Sequence, residues 1–236
     1  GELVLCYDNK SNWRREYFPN YKHGRRKDRK ASTLDWGSIF DTLHLIKQEL
    51  QDNFPYKVLE VENAEADDII ASVVRYVSES PSHYEKVLIV SGDKDFIQLQ
   101  KHNFVTQYSP VLKKFVNGID PDVYIKEHVL KGDRSDGVPN FLSPDNTFVD
   151  EMRQRPISKK KLATWIDLEP EDFCNEQMLR NYQRNRTLID LEYAPTEIHQ
   201  ACVDTYLNST VNDRSGLLNY FIKHRLKNHM ENIGDF

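Results

Sequence analysis

Acidic residues follow short apolar runs in this sequence, and no other feature constrains the possible fold as strongly. The apolar run Val87–Val90 is followed closely by Asp93 and Asp95. The run Leu3–Tyr7 leads directly into Asp8. Short apolar runs bounded by turn residues are typical of buried strands. Because helical patterns separate these runs, the sequence predicts an α/β fold with a mainly parallel sheet and helices on both faces.

Two further acidic groups lie at predicted helix ends. Glu65, Asp67 and Asp68 open a helix, while Asp133 and Asp136 follow an apolar helix in the turn GDRSDG. In parallel sheets, binding groups collect beyond the carboxyl ends of the strands. We therefore expect the acidic groups to meet at one edge of the sheet.

Periodicity and turn residues predict the other elements. Trp13–Lys30 contains Pro19 and Gly24, so a broken helix or a loop is expected there. Asn63 is expected to cap the helix that follows it. The remaining expected elements are helices at Trp36–Asn53, Ala64–Ser80, a short segment ending at Leu99, Pro121–Leu130, Lys159–Ile166, Glu176–Ile189, Pro195–Tyr206 and Leu217–Lys227, a strand at Tyr56–Val61, and a hairpin at Val105–Val116. Clear strand patterns stop after the hairpin, so residues 1–118 are predicted to form an α/β domain and residues 119–236 a smaller helical domain.

The composition is typical of an intracellular globular protein. The chain has 236 residues, of which 39% are hydrophobic, and a net charge of −5. Its three cysteines have no CxxC spacing, which argues against a disulfide framework and a zinc site. The sequence contains neither a signal peptide nor an apolar run of membrane-spanning length. A cytoplasmic protein without a membrane contact is expected.

The acidic groups predict a metal centre. Carboxylates brought to one place repel one another unless cations lie between them, and oxygen ligands suit Mg²⁺. Two such ions about 4 Å apart can support hydrolysis of a phosphodiester. Taken singly, each acid could be a solvated surface charge or a helix cap. The metal-site hypothesis depends on all the groups occurring together at strand ends and helix junctions.

A basic segment follows the first of these acids. Between Trp13 and Lys30 there are eight Lys or Arg residues against two acids, interleaved with aromatic residues. Cations can neutralise phosphates, and aromatic rings can stack on unpaired bases, although a solvated basic loop would have the same composition. The residues expected to bind nucleic acid are Arg15, Tyr21, Arg26, Lys27, Arg29, Lys30, Lys159, Lys160 and Lys161.

The order of these motifs resembles a known family. VLCYDN, WRREYFPNYKHGR, EADDIIA, SGDKDFIQL and GDRSDGVP are similar, in this order, to the motifs of the flap endonuclease and 5′→3′ exonuclease superfamily, and most closely to its ribonuclease H branch from T-even-type bacteriophages. The resemblance extends over essentially the whole chain. It implies a PIN/flap-nuclease-like α/β nuclease domain, followed by a helical DNA-binding domain that starts in a helix–turn–helix manner.

The resemblance also implies an activity and site residues. The activity is that of a Mg²⁺-dependent, structure-specific 5′→3′ exonuclease or flap endonuclease, which removes RNA primers during DNA replication through two metal ions; Mn²⁺ could substitute. The implied metal residues are Asp8, Glu65, Asp67 and Asp93 at one site, and Asp95, Asp133 and Asp136 at the other, with Asp68 in support. The implied catalytic cations, which would hold the scissile phosphate, are Lys22, Arg25 and Arg14.

The implied partners are nucleic acids. DNA and RNA–DNA hybrids with 5′ ends or flaps are the expected substrates. A replication clamp and a single-strand-binding protein are candidate protein partners. A monomer is expected, in the host cell cytoplasm if the protein is encoded by a phage.

Two departures from the family pattern affect these expectations. The family carries a further aspartate on a strand that would precede residue 1, so we expect a fragment that is poorly soluble or weakly active when expressed alone. The segment NFLSPDNTFV replaces the usual glycine-rich continuation of the helix–turn–helix. This replacement affects the expected contacts with duplex DNA.

Two other functions compete with the nuclease hypothesis. A small-molecule phosphatase is suggested by the Asp-Lys-Asp triplet, but such enzymes place a nucleophilic DxD directly after the first strand, and CYDNKS does not supply it. A non-catalytic nucleic-acid-binding module would bind without metal-dependent cleavage.

Overall fold

The computed structural model describes residues 1–79 and 86–236, with every side chain in these ranges except that of Arg26. The predicted helix end at Ser80 and the predicted contact of the Arg26 side chain therefore lie outside the described residues. Among the described residues, no helix combines the length and apolar character needed to cross a membrane.

The first half of the chain alternates strands and helices. Its elements are β1 (Val4–Tyr7), α1 (Trp13–Tyr17), α2 (His23–Ala31), α3 (Trp36–Asn53), β2 (Lys57–Glu60), α4 (Ala66–Glu79), β3 (Val87–Val90), a 3₁₀ helix (Lys94–Lys101), β4 (Val105–Ser109) and β5 (Lys114–Val116). The broken helix predicted for the basic segment is confirmed, because α1 and α2 are separate. The predicted hairpin is confirmed by the antiparallel pairing of β4 with β5.

The second half is helical. Its elements are α5 (Pro121–Lys131), α6 (Lys159–Ile166), α7 (Pro170–Phe173), α8 (Glu176–Ile189), α9 (Thr196–Asn208), α10 (Leu217–Lys223) and α11 (Lys227–Glu231), with 3₁₀ turns at Leu191–Tyr193, Arg214–Gly216 and Ile233–Asp235. The single helix predicted at Leu217–Lys227 is wrong. It breaks because Arg225 adopts a positive φ of 55°, which an α-helix cannot contain.

The strands form two small sheets within the described ranges. β1 pairs in parallel with β2, with Val4 opposite Lys57, and β3 pairs in parallel with β4. The α/β class is confirmed, but the single sheet that we expected is replaced by a two-stranded and a three-stranded sheet. Apolar runs identify strands, but they do not specify which strands become neighbours.

The start of α4 differs from the prediction. Asn63 does not cap this helix, because it lies in a turn with φ of 62° and its carbonyl accepts a hydrogen bond from the Trp13 amide. The helix instead begins at Ala66, and the Asp68 carboxylate accepts a hydrogen bond from the Glu65 amide at 2.9 Å. This side-chain contact satisfies a backbone donor that the first helical turn leaves free.

The two predicted domains share a hydrophobic core. Phe18 and Tyr21 lie in the loop between α1 and α2, and they pack with Val129, Leu130 and Phe141 of the helical half. All five side chains are less than 5% exposed. The domain boundary after residue 118 stays a prediction, and apolar side chains from both sides of it pack together.

Polar side chains of α8 fix the loop that follows α5. Arg184 donates to the Pro139 carbonyl at 2.7 Å, and Asn185 donates to the carbonyls of Val129 and Pro139 at 2.8 and 2.9 Å. Arg184 is 2% exposed, and its charge is paired with Asp145. The end of α5 and the turn after it are therefore held against α8.

Candidate active site

Three carboxylates converge where β3 ends and α4 begins. Oxygens of Asp67, Asp93 and Asp95 all lie within 4.8 Å of one another. Asp93 caps the 3₁₀ helix, since its Oδ1 accepts from the Asp95 amide at 3.0 Å. The strand end and the short helix together present two of the three acids, and the first turn of α4 presents the third.

A second group shares Asp95 with the first. Asp95, His128 and Asp133 also offer ligand atoms within 4.8 Å of one another. The imidazole lies between the two carboxylates, with Nδ1 3.3 Å from Asp95 Oδ1 and Nε2 3.4 Å from Asp133 Oδ2. The two groups together therefore form one continuous acidic centre.

The turn after α5 places Asp133 and Asp136 in this centre. Oδ1 of Asp133 accepts from the amides of Ser135 and Asp136 at 2.7 and 3.2 Å. Gly132 has φ of +68°, and a Cβ there would lie 2.4 Å from the Val138 carbonyl oxygen. A side chain at position 132 would therefore push the turn away from the helix end.

Beside the acidic centre, Glu65 and Asp136 pair with Tyr21, Lys22 and Arg25, and we call this part of the site the paired half. The Tyr21 hydroxyl lies 2.8 Å from Glu65 Oε2 and 2.7 Å from Asp136 Oδ2, so its single proton is shared between the two carboxylates. Lys22 binds Glu65 and lies 3.6 Å from Asp136, and Arg25 donates to Asp136 at 2.7 Å. In this structure the two predicted catalytic cations Lys22 and Arg25 are neutralised by predicted metal ligands.

The backbone of Lys22 is held in an unusual conformation. Its φ of 54° lies in the left-handed region, and its amide donates to the Asp136 carbonyl at 2.7 Å. Left-handed backbone is uncommon outside glycine and persists where surrounding contacts hold it. The predicted cation is therefore fixed to the turn that carries Asp136.

Arg14 and Asp68 form a buried ion pair beside the cleft, and Arg14 also lines the cleft. The guanidinium makes two 2.8 Å hydrogen bonds with the carboxylate, and it also donates to the Leu188 carbonyl. Arg14 is 2% exposed and Asp68 is 0% exposed. The Trp13 indole and the Glu65 amide also donate to Asp68. In this structure each residue holds the other in place, and the expected phosphate contact of Arg14 and metal support by Asp68 stay predictions.

Asp8 lies at the amino end of α4, outside the two groups described above. Its Oδ1 accepts from the Ala66 amide at 2.9 Å, which joins the end of β1 to the start of the helix. The carboxylate is exposed, so its other oxygen can face solvent. Asp8 is therefore placed near Asp67 in the chain fold and serves as a backbone acceptor in this structure.

Charge is unevenly compensated across the site. Burial, together with the charges of Asp93, Glu65 and Asp95, raises the pKa of Asp67 to about 7. Burial and the charges of Asp93, Asp133 and Asp136 likewise raise the pKa of Asp95 to about 6, even though His128 opposes this shift. The acidic centre lacks compensating charge, and a bound divalent cation would supply it.

In the paired half of the site, neighbouring cations lower a carboxyl pKa. Burial alone would raise the pKa of Glu65, but Lys22 and Arg14 hold it below its ordinary value. Glu65 is therefore a stable anion, unlike Asp67 two residues further along the chain.

The donor set fits a hard divalent ion. The groups offer carboxylate oxygens and one imidazole, with no thiolate among the described candidates. Mg²⁺ and Mn²⁺ prefer such oxygen ligands. A cleft joins both halves of the site; its lining includes Tyr21, Glu65, Asp67, Asp95, Asp133 and Asp136.

The predicted nucleic-acid ligands are only partly accessible. Of these predicted ligands, Arg15 is half-buried, and the exposed cations are Lys27, Arg29, Lys30, Lys159, Lys160 and Lys161; the predicted catalytic residue Arg25 is also exposed. Tyr21 is 4% exposed, so its ring is not available for base stacking here; Trp13 and Phe18 are also buried, whereas Tyr17 is 51% exposed. The Arg29 guanidinium lies over the Phe40 ring, 5.0 Å from its centroid.

His128 belongs to this site but is not among the residues predicted from the sequence. The residue lies in the last turn of α5, five positions before Asp133. Its position at the end of an apolar helix that leads into a predicted ligand turn was a usable signal, because that end must face the same site.

The uncompensated charge leads to a prediction for the metal-free protein. The folded pKa of Asp67, about 7, lies above its ordinary value of 3.8. Protonated Asp67 stabilises the folded state; this stabilisation is fully present below pH 3.8 and is lost as the pH rises through about 7. Asp67→Asn should therefore raise the free energy of unfolding at pH 8 in EDTA by about 2 kcal/mol.

Urea unfolding at pH 5 and pH 8 measures this effect. The difference between wild type and Asp67→Asn should grow with pH. A difference that stays constant between the two pH values would contradict the uncompensated charge at Asp67.

Two family profiles together cover the chain. Residues 1–130 match the N-terminal, resolvase-like domain of 5′-3′ exonucleases, and residues 119–236 match the C-terminal domain of T4 RNase H. Ribonuclease H of Enterobacteria phage T4 is 33% identical over 244 residues, which span 100% of this chain and 79% of that protein. Flap endonuclease Xni of Shewanella oneidensis is 30% identical over 137 residues, or 55% of this chain and 48% of that protein.

Solved structures share the fold. The T5 D15 protein, co-crystallised with metal ions, superposes with a TM-score of 0.55 at 20% identity, covering 86% of this chain and 78% of that chain. The bacteriophage T5 D15 flap endonuclease in complex with DNA and metal ions gives a TM-score of 0.52 at 20% identity, covering 86% and 76%. The family resemblance of the sequence motifs is confirmed, and the chain belongs to the 5′-3′ exonuclease family, in the branch that carries the C-terminal domain of T4 ribonuclease H.

Proposed function

We propose that this protein is a divalent-metal-dependent nuclease that hydrolyses phosphodiesters near 5′ ends and flaps, including RNA primers on replication intermediates. The observation that carries the proposal is the sharing of Asp95 between two groups of candidate ligands. Such sharing brings two cation positions close together, as two-metal hydrolysis requires. Membership in the exonuclease family supports the same reaction class.

The ions that suit this donor set are two Mg²⁺, for which Mn²⁺ could substitute. When bound, such ions supply an activated water and stabilise the leaving oxygen. Asp67, Asp93 and Asp95 would hold them, together with Glu65. Asp8, Asp133 and Asp136 would contribute through water or by positioning the turn.

The cations beside the acidic centre would bind the scissile phosphate. Lys22 and Arg25 now pair with Glu65 and Asp136, and metal binding by these acids would release the cations toward the substrate. A fixed positive charge that faces the reacting phosphate stabilises the charge that develops in the transition state. The left-handed backbone of Lys22 supports this positioning role.

Exposed cations at a greater distance would hold the nucleic-acid backbone. Lys27 and Lys30 on α2, and Lys159 to Lys161 at the start of α6, are exposed. Tyr17 is the exposed aromatic residue of the basic segment and can stack on an unpaired base. We further propose a monomer that acts in the cytoplasm, with a replication clamp and a single-strand-binding protein as candidate partners.

Digestion of a 5′-labelled flap substrate tests the proposal. Cleavage should require Mg²⁺ or Mn²⁺, should stop in EDTA, and should release products cut near the junction. Binding of the flap without cleavage at any metal concentration would instead support the non-catalytic module. Hydrolysis of an aryl phosphate without flap cleavage would support the phosphatase.

The position of Lys22 gives a prediction about rate rather than affinity. Lys22→Met should lower the single-turnover cleavage rate about a hundredfold, because it removes the positive charge that would face the reacting phosphate. Lys27→Met, on the same segment but exposed and paired with Glu151, should weaken binding and reduce the salt slope by about one phosphate contact. Single-turnover rates and salt-dependent binding of both variants provide the measurement. If both variants showed the same binding defect and unchanged rates, Lys22 would only contact the phosphate backbone of the nucleic acid.

A further inference from the structure

The geometry around His128 carries an inference that rests on the proposed function and adds a ligand to it. The imidazole is mostly enclosed; its side chain is 17% exposed. It lies between Asp95 on the 3₁₀ helix and Asp133 on the turn after α5. The Tyr124 ring packs against it edge to face, with 5.6 Å between centroids. The ring orientation is therefore fixed from three sides.

The two ring nitrogens have different partners. Nε2 lies 3.4 Å from Asp133 Oδ2, so this carboxylate is the group that faces its N–H. Nδ1 is buried and makes no hydrogen bond among the described residues, although Asp95 Oδ1 lies 3.3 Å away. When Nδ1 carries no proton, its lone pair and this carboxylate oxygen repel each other at that distance, and a metal ion bound to both removes the repulsion.

The spacing suits a shared ion. Ligands at about 2.1 Å from an octahedral ion lie about 3 Å apart when adjacent, which is close to the separation of Nδ1 and Asp95 Oδ1. Histidines that bind metals commonly donate their other N–H to a carboxylate, which fixes the tautomer. Asp133 has this relation to Nε2, and its Oδ1 is already occupied by the Ser135 and Asp136 amides.

We propose that His128 is a nitrogen ligand, through Nδ1, of the metal ion held by Asp95, and that Asp133 is its positioning residue. Imidazole suits later transition ions better than Mg²⁺, which prefers oxygen. This position should therefore bind Co²⁺ and Zn²⁺ more tightly, relative to Mg²⁺, than a site made of carboxylates alone.

Co²⁺ is a direct probe of this ligand. Proton NMR of the Co²⁺-loaded protein should contain a strongly shifted, exchangeable imidazole N–H resonance that disappears in D₂O. The resonance should be absent in His128→Gln and present in His102→Gln, a matched change at a histidine that ends the 3₁₀ helix away from the acids.

Metal affinities provide the second measurement. In His128→Gln the Co²⁺ dissociation constant should rise about ten- to a hundredfold, while that of Mg²⁺, measured by competition, changes less than about threefold. Equal losses for both ions would assign His128 a purely structural role and overturn the inference. So would a Co²⁺-loaded wild type without the shifted resonance.

The outcomes separate this inference from the proposed function. Flap cleavage without an imidazole resonance overturns the His128 ligand and leaves the nuclease intact. A clear imidazole resonance in a protein that cleaves no flap overturns the nuclease and supports the ligand.

Discussion

Asp93→Asn should lose metal-dependent cleavage by about a thousandfold while the fold and the affinity for DNA are retained. Removing a charged ligand is expected to cost several kcal/mol of transition-state stabilisation, and each 1.36 kcal/mol corresponds to about tenfold in rate. An asparagine oxygen can still accept the Asp95 amide that Asp93 now caps, so the 3₁₀ helix should persist. DNA binding should be unchanged or tighter, because the substitution removes a negative charge that would repel the DNA phosphates.

The matched control for this variant is Asp120→Asn. Asp120 is also an exposed helix cap, and it accepts from the amides of Asp122 and Val123 at the start of α5. Its carboxylate belongs to neither ligand group. Single-turnover cleavage at saturating enzyme should separate the two variants, and a rate for Asp93→Asn within tenfold of wild type would remove Asp93 from the metal centre.

Asp68→Ala should be the most destabilising single change in the site. It leaves the Arg14 guanidinium buried without its carboxylate, and breaking a buried pair in this way costs about 3–5 kcal/mol. The Trp13 indole and the Glu65 amide would also lose an acceptor. Urea unfolding in EDTA measures the loss without a contribution from bound metal.

Two further variants test the cause of that loss. Replacing both partners with apolar residues, in Arg14→Met with Asp68→Leu, should recover part of the stability, because no unpaired charge stays buried. Glu151→Gln breaks an ion pair with Lys27 that is exposed to solvent, and it should leave the free energy of unfolding nearly unchanged. A double variant as unstable as Asp68→Ala would mean that packing, not charge, sets the cost.

Much of the fold could be predicted because local patterns determine it. Trp36–Asn53, Lys159–Ile166 and Glu176–Ile189 have the predicted bounds, since their apolar spacing and flanking caps are local signals. The convergence of Asp67, Asp93 and Asp95 could also be predicted, because strand ends in an α/β fold face one edge.

Other features could not be predicted because they depend on tertiary contacts. Arg14 and Tyr21 looked like exposed members of a basic, aromatic segment, but their partners Asp68 and Asp136 lie far along the chain. Burial of a charged side chain requires such a distant partner, and periodicity contains no information about it. His128 escaped prediction for the same reason, because its neighbour Asp95 belongs to another element.

The Tyr21 hydroxyl, which joins Glu65 from the first half of the chain to Asp136 from the second, has a consequence for how such proteins diversify. The two family profiles look like exchangeable modules, yet the same residue also packs its ring into the core of the helical half. A chimaera that takes its second half from a relative would contain a turn that fits the relative's first half and not Tyr21 of this chain. Halves of different relatives should therefore recombine into an active protein only when the 18–25 loop is transferred together with the turn at 132–138.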